Sequence, residues 1–100
     1  MSSITQLTRF KSDDPDEMIK AAKKAKPLFE KHGAEFFRFS RFHSGVWAGE
    51  WLAATRYSSW SVFGKAMEGL AKDPAFQKLL AEMNSFSELT ARNITLSIDL

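Results

Sequence analysis

Five arginines are the residues of this chain best equipped to hold an anion. Arg9, Arg38, Arg41, Arg56 and Arg92 all fall in segments that read as strands, whereas eight of the nine lysines fall in helical segments and Lys11 at a strand end. A guanidinium presents a planar fork that grips a carboxylate through two hydrogen bonds, so arginine suits half-buried pairing better than lysine does. Two roles are open to them. They hold a substrate carboxylate or enolate above a sheet, with Arg38, Arg41 and Arg56 as polar candidates, or they form cross-strand ion pairs with Glu35, Glu50 or Glu88. His43, where a strand enters a loop, is the candidate general base or proton shuttle near neutral pH, and an exposed loop histidine is the alternative. His32, just before Gly33, reads as a favourable cation near a helix C-terminus.

Trp47, Trp51, Tyr57, Trp60 and Phe63 cluster in sequence and could wall a pocket for a flat aromatic substrate. The same rings serve equally as a packed core and a dimer interface, where large aromatics are enriched. The substrate-binding candidates are therefore Arg41, Trp51, Tyr57, Trp60 and Phe63, with His43 as the catalytic candidate. Strand alternation sets Arg56 opposite Trp51 and Tyr57, which favours His43 over Arg56 as the polar pocket residue. Other chemistries lack their residues. The absence of cysteine removes disulfides, thiol nucleophiles and Cys-based zinc sites. Two histidines with no supporting carboxylate spacing point to no metal. No Gly-x-Gly-x-x-Gly follows a strand, so no dinucleotide cofactor is expected, and no serine stands in a nucleophile elbow.

The elements that must position these residues are legible in the pattern. Residues 3–11 alternate and predict a strand. Asp14-Pro15, with Glu17 three residues after the cap, opens a helix whose apolar arc is Met18, Ala21, Ala22, Ala25, Leu28 and Phe29. Pro27 predicts a kink or a fresh turn, and Gly33 an end. Residues 34–42 predict a strand with apolar groups on both faces, 43–49 a hairpin loop, and 50–57 the returning strand. Ser58 or Ser59 caps a second helix, and Asp73-Pro74 starts a further one carrying Phe76, Leu79, Leu80 and Met83. Residues 88–99 predict a last strand. The pocket is expected between the sheet and the broken second helix, near the third strand.

One hundred residues allow one small domain, and 44% hydrophobic with 26% charged residues is an ordinary globular composition. A net charge of +2 is too mild to call for nucleic acid or an acidic membrane surface. No apolar run approaches the ~18 residues of a membrane span. The N-terminus lacks a basic region followed by an apolar stretch, so the expectation is a cytoplasmic protein. Nine Phe, three Trp and one Tyr are hard to bury in one small monomer, since each ring covers roughly 150–250 Å². The order β-α-β-β-α-β has the split-βαβ, ferredoxin-like arrangement, an α+β fold with helices on one sheet face. A second copy would cover the other face with two-fold symmetry.

That order, with the segment Phe42-His43-Ser44-Gly45-Val46-Trp47-Ala48-Gly49-Glu50-Trp51 running on to Tyr57 and with Asp73-Pro74-Ala75-Phe76, resembles the dimeric α/β-barrel superfamily. That group contains the antibiotic-biosynthesis monooxygenase, NIPSNAP, EthD and stress-responsive barrel families. The resemblance spans nearly the whole chain and implies a homodimeric barrel. It further implies either a cofactor-independent monooxygenase-like enzyme acting on an aromatic or polyketide-like substrate, or a non-catalytic module that binds a small ligand or serves a structural role. Fold features of this kind do not themselves carry chemistry.

Overall fold

Alternating burial along Ile4–Lys11 marks strand β1 in the computed structural model, which describes residues 3–100. It is followed by α1 (Pro15–Lys31), β2 (Phe36–Arg41), β3 (Trp51–Tyr57), α2 (Trp60–Lys72), α3 (Pro74–Met83) and β4 (Glu88–Leu96). The strands pair antiparallel in the order β2-β3-β1-β4. This is the α+β, ferredoxin-like arrangement expected from the element order.

Local chemistry sets the helix limits. Asp14 accepts the Glu17 backbone N–H at 3.1 Å, and Pro15 occupies the first turn where a missing N–H costs nothing. The Asp14 N–H itself donates to Ser12 Oγ at 3.1 Å. Ser12 thus takes the role that the sequence pattern gave to Glu17. The helix runs on through Pro27 to Lys31 rather than restarting there. Gly33, at φ +113°, then reverses the chain, a conformation that side chains disfavour. Ser59 caps α2 by accepting the Val62 N–H at 3.2 Å. Asp73 ends α2 and begins α3, accepting the Ala75 N–H at 3.0 Å. The Asp73 N–H donates to the Leu70 carbonyl at 3.1 Å, and the Gln77 side chain donates to the carbonyls of Leu70 and Ala71 in the last turn of α2.

Register decides which side chains meet the helices. Ile4, Gln6, Thr8 and Phe10 stand opposite Tyr57, Thr55, Ala53 and Trp51, and this face carries the core. One cluster joins Ile4, Ala34, Tyr57 and Ala66, with Phe63 packed against it. A second joins Ala21, Ala25 and Leu79 between α1 and α3. The pairing of β1 with β4 slips by one residue between Arg9 and Phe10, so Arg9 faces Ala91 while Phe10 faces Leu89. Thr90 is the extra residue of this bulge, and it turns Leu89 to the helix side. The opposite sheet face presents half-buried Leu7, Phe36, Leu52 and Ala54. The shortest dimension, 18 Å, is one sheet plus one helix layer, so none of the described elements covers that face. Among the described residues, no helix is long and apolar enough to cross a membrane.

Candidate active site

A cavity of about 80 Å³ lies between the sheet and the pair α1 and α3. Its origin is a mismatch of side-chain sizes. On α1, Ala21, Ala22 and Ala25 face the sheet, and Ala53 answers them from the central strand β3. Four methyl groups cannot fill a gap whose width is set by the larger side chains around it. Those are Phe29, Phe37, Phe39 and Phe76, which form a connected wall. Phe29 stacks on Phe37 at 5.5 Å between centroids and meets the edge of Phe76 at 5.4 Å. Phe37 in turn stacks near Phe39 at 6.4 Å. Leu80 of α3 and Leu89 of β4 border the cavity and are themselves substantially exposed, which marks the mouth between those two elements.

The polar side chains of the lining come from neighbouring positions on the sheet. Gln6 and Thr8, on β1, are only 6% and 8% exposed, yet neither side chain hydrogen-bonds to any described residue. Their polar atoms keep some solvent access: the fully buried polar side-chain atoms left unpaired among the described residues are Trp51 Nε1 and Arg56 Nε. Arg92 stands directly across from Thr8 on β4 and is the one ionisable residue of the lining. It has no ion pair among the described residues.

The candidates drawn from the sequence are divided between the two ends of β3. At the start of β3, Trp51 is buried, stacks on Phe39 at 5.3 Å and lies under the Arg41 guanidinium at 4.5 Å. Its indole N–H has no hydrogen-bond partner among the described residues. Arg41 donates to the Gly49 carbonyl at 3.0 Å, holding the hairpin loop. At the far end, Tyr57 is fully buried and donates to Thr55 Oγ1 at 3.2 Å. Burial pushes its phenol upward from the ordinary tyrosine range. Phe63 meets Tyr57 edge-on at 5.3 Å, and Trp60, half exposed, meets Phe63 at 5.9 Å. His43 is exposed in the hairpin. None of His43, Arg41, Trp51, Tyr57, Trp60 and Phe63 lines the cavity. The cavity lies under α1 and α3, the latter being the second piece of the broken helix, and is floored by residues of all four strands, Ala53 of β3 among them, while Trp51 and Tyr57, expected as its walls, do not line it. The reason is volume: the large rings of β3 and α2 fill their own space, whereas the alanines of α1 do not.

The remaining arginines follow the ion-pair reading in part. Arg9 lies 3.4 Å from Glu50, with its guanidinium over the Trp47 ring at 3.9 Å. Arg56 reaches Glu35 at 3.9 Å, and Arg38 stacks over Phe36 at 4.0 Å. Arg38, Arg41 and Arg92 have no ion pair among the described residues; Arg41 is held by the Gly49 carbonyl and the Trp51 ring and Arg38 lies over Phe36, whereas Arg92 has no such partner, which its position in an alternating pattern does not show. The missed signal was the Ala21, Ala22 and Ala25 run facing Ala53, small residues on both sides of one layer boundary.

No protein-family model matches the sequence, and no curated protein matches it. Solved structures do. A NIPSNAP domain protein from Burkholderia xenovorans superposes with a TM-score of 0.73 at 17% identity, over 100% of this chain and 95% of that one. A dimeric ferredoxin-like protein from an uncultured marine organism gives 0.70 at 17% identity, over 100% and 99%. SnoaB, a cofactor-independent oxygenase from Streptomyces nogalater, gives 0.70 at 14% identity, over 100% and 97%. The chain has the ferredoxin-like fold. At these identities the likeness is one of fold.

Proposed function

We propose that the protein is a homodimer that binds a flat aromatic molecule in the cavity between α1, α3 and the sheet and oxygenates it without a cofactor. The observation that carries this reading is the pairing of an aromatic wall with two buried, unpartnered polar side chains, Gln6 and Thr8. Ligand sites are typically apolar pockets with a few placed polar groups. Resemblance in fold to SnoaB adds the reaction type.

The chemistry asks little of the protein. An activated C–H of the substrate loses its proton to water at the mouth, leaving a carbanion delocalised onto a ring oxygen. The carbanion carbon gives an electron to dioxygen, a C–O bond forms, and the resulting hydroperoxide loses water to leave a carbonyl. The carbon supplies all four electrons that dioxygen takes up, so no external reductant is needed. The protein's part is to position the ring and stabilise negative charge on its oxygen. The Gln6 amide is the donor placed for that oxygen in a poorly solvated wall, where such stabilisation is strongest, and Thr8, two residues along the strand, helps to hold the other end of the ligand. Size selects a small substrate. An apolar cavity of about 150 Å³ takes benzene, so at about 80 Å³ a single ring is the upper limit and needs the exposed Leu80 and Leu89 at the mouth to give way, and a fused polyketide is too large.

A second reading, a dimeric module that binds the same ligand without turnover, is favoured by one feature. The lining contains no carboxylate, imidazole or amine to take a proton. Oxygen uptake decides between them. With single-ring compounds bearing an activated C–H, the oxygenase reading expects protein-dependent oxygen consumption that falls sharply in Gln6→Leu. Binding without any oxygen uptake leaves the non-catalytic module.

A further inference from the structure

We infer that the ligand of this cavity is an aromatic carboxylate, held by Arg92 at the mouth, with a second oxygen on the far side of the ring directed to Gln6. The inference rests on the reading of the cavity as a ligand site and adds what the ligand must carry.

Three observations lead there. First, Arg92 lines an otherwise apolar cavity, is exposed at the rim, and has no carboxylate or other partner among the described residues. Arg9 and Arg56, by contrast, have Glu50 and Glu35 within reach. A guanidinium left free beside aromatic walls selects an anion with two coplanar oxygens, since its fork donates two parallel hydrogen bonds. Second, Arg92 and Thr8 are a directly opposed pair, so their Cβ atoms are ~4.5–5.5 Å apart. One carboxylate can therefore take the guanidinium fork and the Thr8 hydroxyl together. Third, Gln6 is two residues further along the same strand face, ~6.7 Å from Thr8. That is about the span between para substituents of a benzene ring. Gln6 is buried and unpartnered, and its amide offers both a donor and an acceptor. A hydroxyl or carbonyl para to the carboxylate would satisfy it. The three groups thus describe an ionised head at the mouth and a neutral oxygen in the interior, with the ring between Phe walls.

Isothermal titration calorimetry on the full chain tests this with 4-hydroxybenzoate and its neutral counterpart 4-hydroxybenzyl alcohol. The carboxylate is expected to bind at least ~10-fold more tightly. Arg92→Met removes that preference, and Arg92→Lys, which keeps the charge but loses the fork, retains part of it. Gln6→Leu weakens 4-hydroxybenzoate several-fold, on the order of one lost hydrogen bond, and leaves unsubstituted benzoate unchanged. If both probes bind equally and Ala53→Leu excludes both, the cavity is a ligand site but the carboxylate inference fails. A preference that survives Arg92→Met also overturns it. If neither probe binds, the ligand-site reading falls and takes the inference with it.

Discussion

Asp73 and His32, 41 residues apart, meet at 2.8 Å between Oδ2 and Nε2. The contact joins the C-terminal end of α1 to the junction of α2 and α3. Asp73 uses its other oxygen to cap α3 through the Ala75 N–H, and Lys31 approaches Oδ2 at 3.4 Å. One carboxylate therefore holds three helix ends together. The position of α3, and with it Phe76, Leu79, Leu80 and Met83 of the cavity wall, depends on this junction.

The Asp73 carboxyl is held down to about 2 from an ordinary 3.8, chiefly by the His32 hydrogen bond and against the opposing effect of burial, with the Ala75 N–H and Lys31 adding to the lowering. A carboxyl depressed in the folded state favours folding above its unfolded value and loses that contribution as pH falls toward the folded one. The wild type should exceed Asp73→Asn in urea midpoint at pH 6. The gap should close between about 3.8 and about 2. Urea titrations across that range check it, and a gap that stays constant down to pH 2 contradicts the role given to Asp73.

Two glycines of α2 should respond oppositely to alanine. A Cβ on Gly64 meets nothing within 4 Å, so Gly64→Ala should stabilise by ~0.4–1 kcal/mol through the unfolded chain. A Cβ on Gly69 would fall inside contact distance of His32 Nδ1 and 2.9 Å from its Cε1. Gly69→Ala should therefore lower the denaturation midpoint by pushing His32 off Asp73. Equal stabilisation by both substitutions would remove the close packing from the account.

Ala53→Leu should trade binding for stability. Cavity volume costs ~24 cal/mol per Å³, so filling about 80 Å³ returns at most about 2 kcal/mol. Thermal unfolding should move upward while calorimetric binding of small aromatics disappears. A variant that is destabilised as well as non-binding would mean the space is already closed to a larger side chain.

The uncovered sheet face predicts assembly. Leu7, Phe36, Leu52 and Ala54 should pack against a second copy over at least ~1,200 Å² in total. Sedimentation should give twice the 11.3 kDa chain mass for wild type and the single-chain mass for Leu52→Asp. Wild type sedimenting at 11.3 kDa would refute the homodimer.

The fold was legible because each of its signals is local. Asp14-Pro15, Ser59 and Asp73-Pro74 marked helix starts within a residue or two, and strand alternation put Trp51, Ala53, Thr55 and Tyr57 on one face as observed. The cavity was not legible in the same way, because a cavity depends on what faces what across layers. Large aromatics drew the sequence reading toward β3 and α2, yet a big ring fills space more often than it borders it. The useful residues were the small ones, Ala21, Ala22, Ala25 and Ala53, and two uncharged polar residues in β1 with no motif around them. Arg92 was visible as one strand arginine among five. Only the pairing of β1 with β4 showed that it faces Thr8 and lacks a counter-charge.

The slip at Thr90 also fixes how this chain can be aligned with others of its fold. Before the slip, Glu88 and Leu89 follow one phase of in-and-out alternation, and Ala91 onward follow the other. Deleting Thr90 would restore an unbroken ladder and keep Leu89 opposite Phe10 at the lip of the cavity, whereas straightening the bulge with Thr90 retained would set Thr90 opposite Phe10 and turn Leu89 to the face reserved for the second copy. An alignment of this strand with one that lacks the bulge therefore needs a one-residue gap opposite Thr90.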